Sequence, residues 1–195
     1  MLPRWLWALI LVGLTGAYFG WSHRPVRHTP GELVAAEPVQ RSLSGAPPQF
    51  HKFDSEIVGR ARFSIEARVL GAERYRLDRM AKLVPVDLAL GWGPMSDSAV
   101  LAELSISQAN RYYFWSTPAL PIPRHDIETH SANMHLIPAN DAIERRILAA
   151  RVGQIVRFSG YLVDVKGDGW QLRSSMTRDD TGAGACEVIW VEDFE

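Results

Sequence analysis

Three histidines fall at five-residue intervals, His125, His130 and His135, with Asp126, Glu128 and Asn133 between them. Imidazole and carboxylate side chains together suit zinc or another borderline metal. The spacing works against one shared ion on regular structure. An i, i+5 separation splays side chains on a helix and sends them to opposite faces of a strand. No HxH or HExxH accompanies them. Metal binding by His125, His130 and His135 therefore needs an irregular loop over 124–138. The plainer expectation is that His130, Asn133 and His135 hydrogen-bond loop backbone beside the following helix. No cofactor is expected.

Cys186 offers a second chemistry. With His130 or His135 as base, its thiol is a nucleophile. Without such a partner a lone cysteine is a small hydrophobe. One thiol forms no internal disulfide, so the chain is not a disulfide-stapled module. The acidic stretch Arg178-Asp-Asp-Thr-Gly-Ala-Gly184 lacks the ligand spacing of a calcium loop and reads as a turn held by Asp side chains.

Tyr112, Tyr113, Phe114, Trp115 and Trp170 could form a stacking platform for a sugar or base. Strand alternation would turn about half of them to a core and half outward. The expected binding residues are Tyr112, Tyr113, Trp115, Asn133 and Trp170. Arg60, Arg62, Arg68, Arg74, Arg76, Arg79 and Lys82 outnumber Glu66, Glu73 and Asp78 locally, which reads as a solvated strand face of mixed sign.

The elements that must position these groups are legible in places. Phe63, Ile65, Ala67 and Val69 alternate with Ser64, Glu66 and Arg68, which predicts a half-buried strand. Tyr75 to Leu90 is broken by Pro85 and reads as partly extended. Gly91-Trp-Gly-Pro94 is a loop, and Ser96 or Asp97 caps a short helix. Asn110 to Trp115 is strand-like, and Pro118, Pro121 and Pro123 force a loop after it. Asn140 caps the clearest helix, with Ile143, Ile147 and Leu148 on one face, Arg151 in the last turn and Gly153 as the stop. A long strand follows over 154–165, bent at Gly160. A hairpin turn at 166–169, a strand over 170–174, a turn at 181–184 and a last strand over 186–191 complete the chain.

The N-terminal residues set the location. Trp5 to Trp21 is a 17-residue run without a charge, preceded by Arg4. As a helix it spans about 25 Å, at the short end of what crosses a bilayer core. Trp5, Trp7, Tyr18 and Trp21 cluster at its two ends, as amphipathic rings do at membrane interfaces. A cleaved signal peptide is the rival reading, and its only small-residue site, Thr15-Gly-Ala17, lies inside the apolar run. Residues 1–21 are therefore expected as a signal-anchor in the bilayer through 5–21. The Pro-rich 22–50 reads as an extended or irregular tether, and 51–195 as a soluble domain. Net charge is −1, which excludes the basic footprint of a nucleic-acid binder.

Trp92-Gly-Pro-Met-Ser-Asp97, Arg111-Tyr-Tyr113, His130-Ser-Ala-Asn-Met-His-Leu-Ile-Pro-Ala-Asn140, Gly160-Tyr-Leu-Val163 and 174–187 together resemble a family of bacterial single-pass membrane-anchored envelope proteins with no established activity. The resemblance covers roughly residues 60–192. It implies an envelope setting and no catalytic residue. The expected fold is α+β, mainly antiparallel β: a small OB-like or SH3-like barrel with one or two packed helices, preceded by the transmembrane helix. The expected function is that of an inner-membrane-anchored periplasmic domain, binding or assisting a protein or glycan partner and no nucleic acid. The alternative is a periplasmic hydrolase or metalloenzyme using His130, His135 and Cys186.

Overall fold

The computed structural model describes residues 24–182 and 184–195, with positions 3, 5–7, 9 and 11. The expected anchor, 1–21, lies outside the described residues apart from those positions. Among the described residues no helix is long and apolar enough to cross a membrane.

The described residues form an α+β domain of mainly antiparallel strands with few helices. The strands are β1 (Val39–Ser42), β2 (Gln49–Lys52), β3 (Ser55–Arg74), β4 (Val86–Gly91), β5 (Ser105–Ala109), β6 (Tyr112–Ser116), β7 (Ser131–Pro138), β8 (Ile155–Gly167), β9 (Trp170–Arg173) and β10 (Glu187–Phe194). The helices are α1 (Ser98–Ala102), α2 (Arg124–Thr129) and α3 (Asp141–Leu148).

The alternating stretch at Phe63 is the middle of β3. Phe63, Ile65, Ala67 and Val69 are buried, as their spacing requires, and Arg62 is exposed. Arg68 points out of the sheet but is covered. It donates to the Ser96 carbonyl at 2.9 Å and to Ser98 Oγ at 2.8 Å. The first two-thirds of β3 pairs antiparallel with β8 and its last third with β4. β4 pairs antiparallel with β7, β7 parallel with β10, and β10 antiparallel with β8. The pairings thus run β3–β4–β7–β10–β8 and return to β3. Register shifts at Gly59/Ala61 and Val69/Gly71 bend the long strand to serve both neighbours. Gly160 supplies the expected bend in β8. A Cβ there would run into the Trp190 carbonyl, opposite the irregularity between Val191 and Asp193 of β10.

Within this circuit lies the main core, where Phe63, Ile65 and Val69 meet Leu88, Met134, Leu136, Ile189 and Val191. Ile143 and Ile147 of α3 pack on it. Asn140 caps α3 as expected, accepting from the Ala142 and Ile143 amides at 3.0 and 3.1 Å. The helix ends at Leu148, earlier than the expected Arg151. Gly153, with φ +86°, serves instead in the turn into β8, where its amide donates to the Val69 carbonyl.

Residues 24–52 are extended or irregular, yet they are fastened to the domain rather than held clear of it. The Val26 amide donates to the Val152 carbonyl at 2.8 Å, the Leu33 and Val34 amides both donate to Ser96 Oγ at 3.0 Å, and Val34 is buried. β1 and β2 then pair with β3. Prolines confine pairing to short edge strands, which is the form these take.

The expected loop over 124–138 requires correction. It is helix α2 followed by β7, a strand buried along almost its whole length. A strand buried on both faces shows no alternation, and Asn133 and His135 inside it disguised its apolar character. Strand β5 was also unforeseen. It forms a two-stranded sheet with β6 through Asn110 and Arg111, whose φ values of 52° and 67° give the two left-handed residues of a tight hairpin turn.

Candidate functional site

The β5–β6 hairpin folds over the outer face of β3 and β4. Ile106, Tyr113 and Trp115 pack there against Leu70, Ala89, Met95 and Ile127. Gly71 leaves the room that the Gln108 side chain occupies. Alternation turns Tyr112 and Phe114 the other way, 44% and 52% exposed, with ring centroids 6.4 Å apart. Arg124 sits 5.4 Å from the Trp115 ring centre.

Between this hairpin, the start of β7 and the segment entering β10 opens a cleft of about 660 Å³. Four of the expected binding residues, Tyr112, Tyr113, Trp115 and Asn133, line it together with Cys186. Trp170 does not join them. It sits at the β8–β9 hairpin and packs with Tyr161 and Phe50 on a second apolar cluster.

The hairpin tip anchors a buried polar network. Asp87 on β4 and His135 on β7 stand in direct register. Asp87 Oδ1 lies 2.8 Å from His135 Nδ1 and 3.2 Å from Arg111 Nη1. Arg111 also reaches Asp78 at 2.9 Å and stacks 3.9 Å over the Tyr75 ring. A charge this deep needs such a partner, because an unpaired buried carboxylate is strongly disfavoured. On the opposite side of β7, the parallel pairing of β10, with Glu187 opposite Met134, brings Cys186 in beside Asn133, where Sγ lies 4.0 Å from the Arg111 carbonyl and the thiol acts on the charge of His135. Burial opposes the charge on His135, but Asp87 and Cys186 outweigh it and lift the imidazole to about 9. Asn133 holds the thiol's other side. Its Oδ1 accepts from Gln108 at 2.8 Å, and its Nδ2 donates to the Arg111 carbonyl at 3.1 Å and faces Cys186 Sγ at 3.9 Å.

At the inner end of the cleft Arg178 Nε meets Glu187 Oε1 at 2.8 Å. Burial pushes the Glu187 carboxyl up to about 7, against the pull of Arg178. Glu187 Oε2 and Arg178 Nη2 are buried without hydrogen-bond partners. Asp180 accepts from Ser175 Oγ at 2.7 Å, so the acidic stretch is tied to its own loop.

The three histidines go to separate places. His125 is exposed on α2. His130, just after α2, donates from Nδ1 to the Asp126 carbonyl at 2.9 Å and reaches Glu37 from Nε2 at 3.2 Å. His135 alone joins the network at Cys186. Among the described residues no three His, Cys, Asp or Glu side chains converge on a possible metal site. Two basic side chains of β3 are paired across strands, Arg60 with Asp164 at 2.8 Å and Arg62 with Glu192 at 2.9 Å.

Sequence reasoning did not single out Asp87, Arg111, Gln108, Arg178 or Glu187 as site residues. Asp87 carried a usable signal, a lone carboxylate inside the apolar Val86-Asp-Leu-Ala-Leu90, which demands a cationic partner on folding. Compared with protein-family models, curated proteins and solved structures, the chain matches none.

Proposed function

We propose that this chain is a membrane-anchored envelope protein whose periplasmic domain binds a glycan in the cleft beside the β5–β6 hairpin. The observation that carries the reading is the assembly of Tyr112, Tyr113, Trp115 and Asn133 around one cavity from two separate elements. Outward aromatic faces suit sugar rings. The unpartnered Glu187 and Arg178 atoms offer an acceptor and a donor to ligand hydroxyls. A protein segment is the other occupant that such a cleft accommodates, but buried charge at its inner end favours a hydroxylated ligand. Anchoring rests on the aromatic-flanked apolar run at 5–21.

The fold reading supports the same place. Five strands in a closed pairing circuit, the third parallel to the fifth and a helix between third and fourth, support our reading of the sheet as an OB-like barrel. Such barrels bind ligands on the face of their second and third strands, between neighbouring loops. Here those strands are β4 and β7, and the cleft opens beside β7 and the 178–187 segment.

Calorimetric titration of the full chain in detergent with N-acetylhexosamine oligosaccharides tests this. Saturable binding is expected, weakened by roughly tenfold or more in Tyr112→Ala and in Phe114→Ala. Both side chains are exposed, so the fold is kept. Binding unaffected by either substitution would remove the cleft from the account. Absence of any saturable heat would pass the site to a protein partner.

A further inference from the structure

We propose that Cys186, His135 and Asp87 form a nucleophile, a proton carrier and an orienting carboxylate that hydrolyse an acyl group, held as an ester, thioester or amide, in this cleft. The inference rests on the cleft being a ligand site. Two adjacent strands and the segment entering β10 supply the three groups: Asp87 stands opposite His135 across β4 and β7, 2.8 Å from its Nδ1, and Cys186, one residue before the Glu187–Met134 pair of β10 and β7, meets Asn133, two residues before His135 on the same strand. Thiol nucleophiles require such an arrangement, in which a base takes the proton and a third group fixes the base. His135 is 5% exposed, so the imidazole is held rigidly, while Cys186 is half-buried and lines the cavity. Asn133 Nδ2, 3.9 Å from Sγ and locked by Gln108, is a neutral donor beside the reacting carbon. A separate feature points to a ligand in the same cavity. Glu187 Oε2, on a residue 1% exposed that lines the cleft next to Cys186, has no hydrogen-bond partner. A ligand N–H or O–H satisfies it.

The step balances within the chain and water. His135 takes the Cys186 thiol proton as the reaction begins. The sulfur attacks the carbonyl carbon, an S–C bond forms, and the bond from that carbon to the leaving oxygen, sulfur or nitrogen breaks. His135 gives its proton to the leaving group. Water then adds to the thioester carbon while its proton passes to His135, the C–S bond breaks, and a carboxylic acid leaves. Asp87 touches no substrate. It is a positioning residue that holds the imidazole and its charge.

The test uses the full chain in detergent with two probes, p-nitrophenyl acetate and iodoacetamide, and reads adducts by mass. The expected results are an acetyl adduct confined to Cys186 and released by water, with no adduct in Cys186→Ser. Alkylation of native Cys186 should run about tenfold or more faster than that of the chain unfolded in denaturant. Asp87→Asn should slow acetylation and be the weaker defect, and His135→Gln should slow it roughly a hundredfold. Thermal unfolding of each variant separates loss of reactivity from loss of fold. A native thiol that alkylates no faster than the unfolded one, with no acetyl adduct, overturns the proposal on the unaltered chain alone. Oligosaccharide binding that persists beside an inert thiol would sink this inference and leave the glycan site standing. The reverse pattern would do the opposite.

Discussion

Asp87 Oδ1 lies 2.8 Å from His135 Nδ1, two residues on adjacent strands joined across one rung of the β4–β7 ladder. Around them the charges balance, with Arg111 and His135 against Asp78 and Asp87. The imidazole, ordinarily titrating at 6.5, is held up to about 9 by Asp87 and Cys186. Its folded value exceeds its unfolded one, so its contribution to stability is complete below pH 6.5 and is lost as pH rises through 9. Glu187, raised from 4.5 to about 7 by burial, acts in the same direction between those two values. The melting temperature should therefore fall in two stages as pH rises. His135→Gln should flatten the alkaline stage and Glu187→Gln the neutral one. A melting temperature that climbs from pH 4.5 to 9 in the unaltered chain would contradict both assignments.

Arg111 is the cation that neutralises this site from the hairpin tip. Arg111→Ala leaves Asp87 buried against one cation and frees the β5–β6 turn. Removing one partner of a buried pair costs about 3–5 kcal/mol. Denaturant titration should show that loss. Arg111→Ala with Asp87→Ala together should recover part of it, and a simple sum of the two single effects would mean that the pair is not coupled.

A Cβ at Gly160 would meet the Trp190 carbonyl where β8 and β10 pair. Gly160→Ala forces the two strands apart at the closure of the circuit. Overpacking of this kind costs about 1–3 kcal/mol, and backbone in the way of the new methyl puts it at the upper end. Amide exchange of β8 and β10 should rise together in this variant. Exchange confined to residue 160 would mean that the sheet tolerates the methyl.

Ser96 clamps residues 33 and 34 to the domain through one hydroxyl that accepts from both amides. Ser96→Ala leaves two amides without their acceptor, and Val34 is the only buried side chain nearby on that segment. A loss of about 1–3 kcal/mol follows. Proteolysis should then cut between residues 24 and 38 much faster than in the unaltered chain. An unchanged cleavage rate would show that the other ties, β1 pairing and the Val26–Val152 bond among them, hold the segment without Ser96.

The short-range features of this chain were written in its residue order. Phe63 to Val69 alternated and became the core face of β3. Asn140 announced α3, and Gly160 marked the bend in β8. Each of these depends on neighbours a few residues away, where dihedral preference and periodicity act directly. The histidine segment did not behave so. His125, His130 and His135 invited a common site through even spacing, whereas burial made a helix and a two-sided strand of the segment and sent each histidine to different partners. The pairing of Asp87 with His135, 48 positions apart in the numbering, and the arrival of Cys186 from the far side of the same strand follow from ladder register. Register is fixed by which apolar faces must be buried together, and a one-residue slip of β4 against β7 would turn Asp87 away from His135. Residue types thus determined what chemistry was available, and only the closing of the sheet decided which of those groups meet.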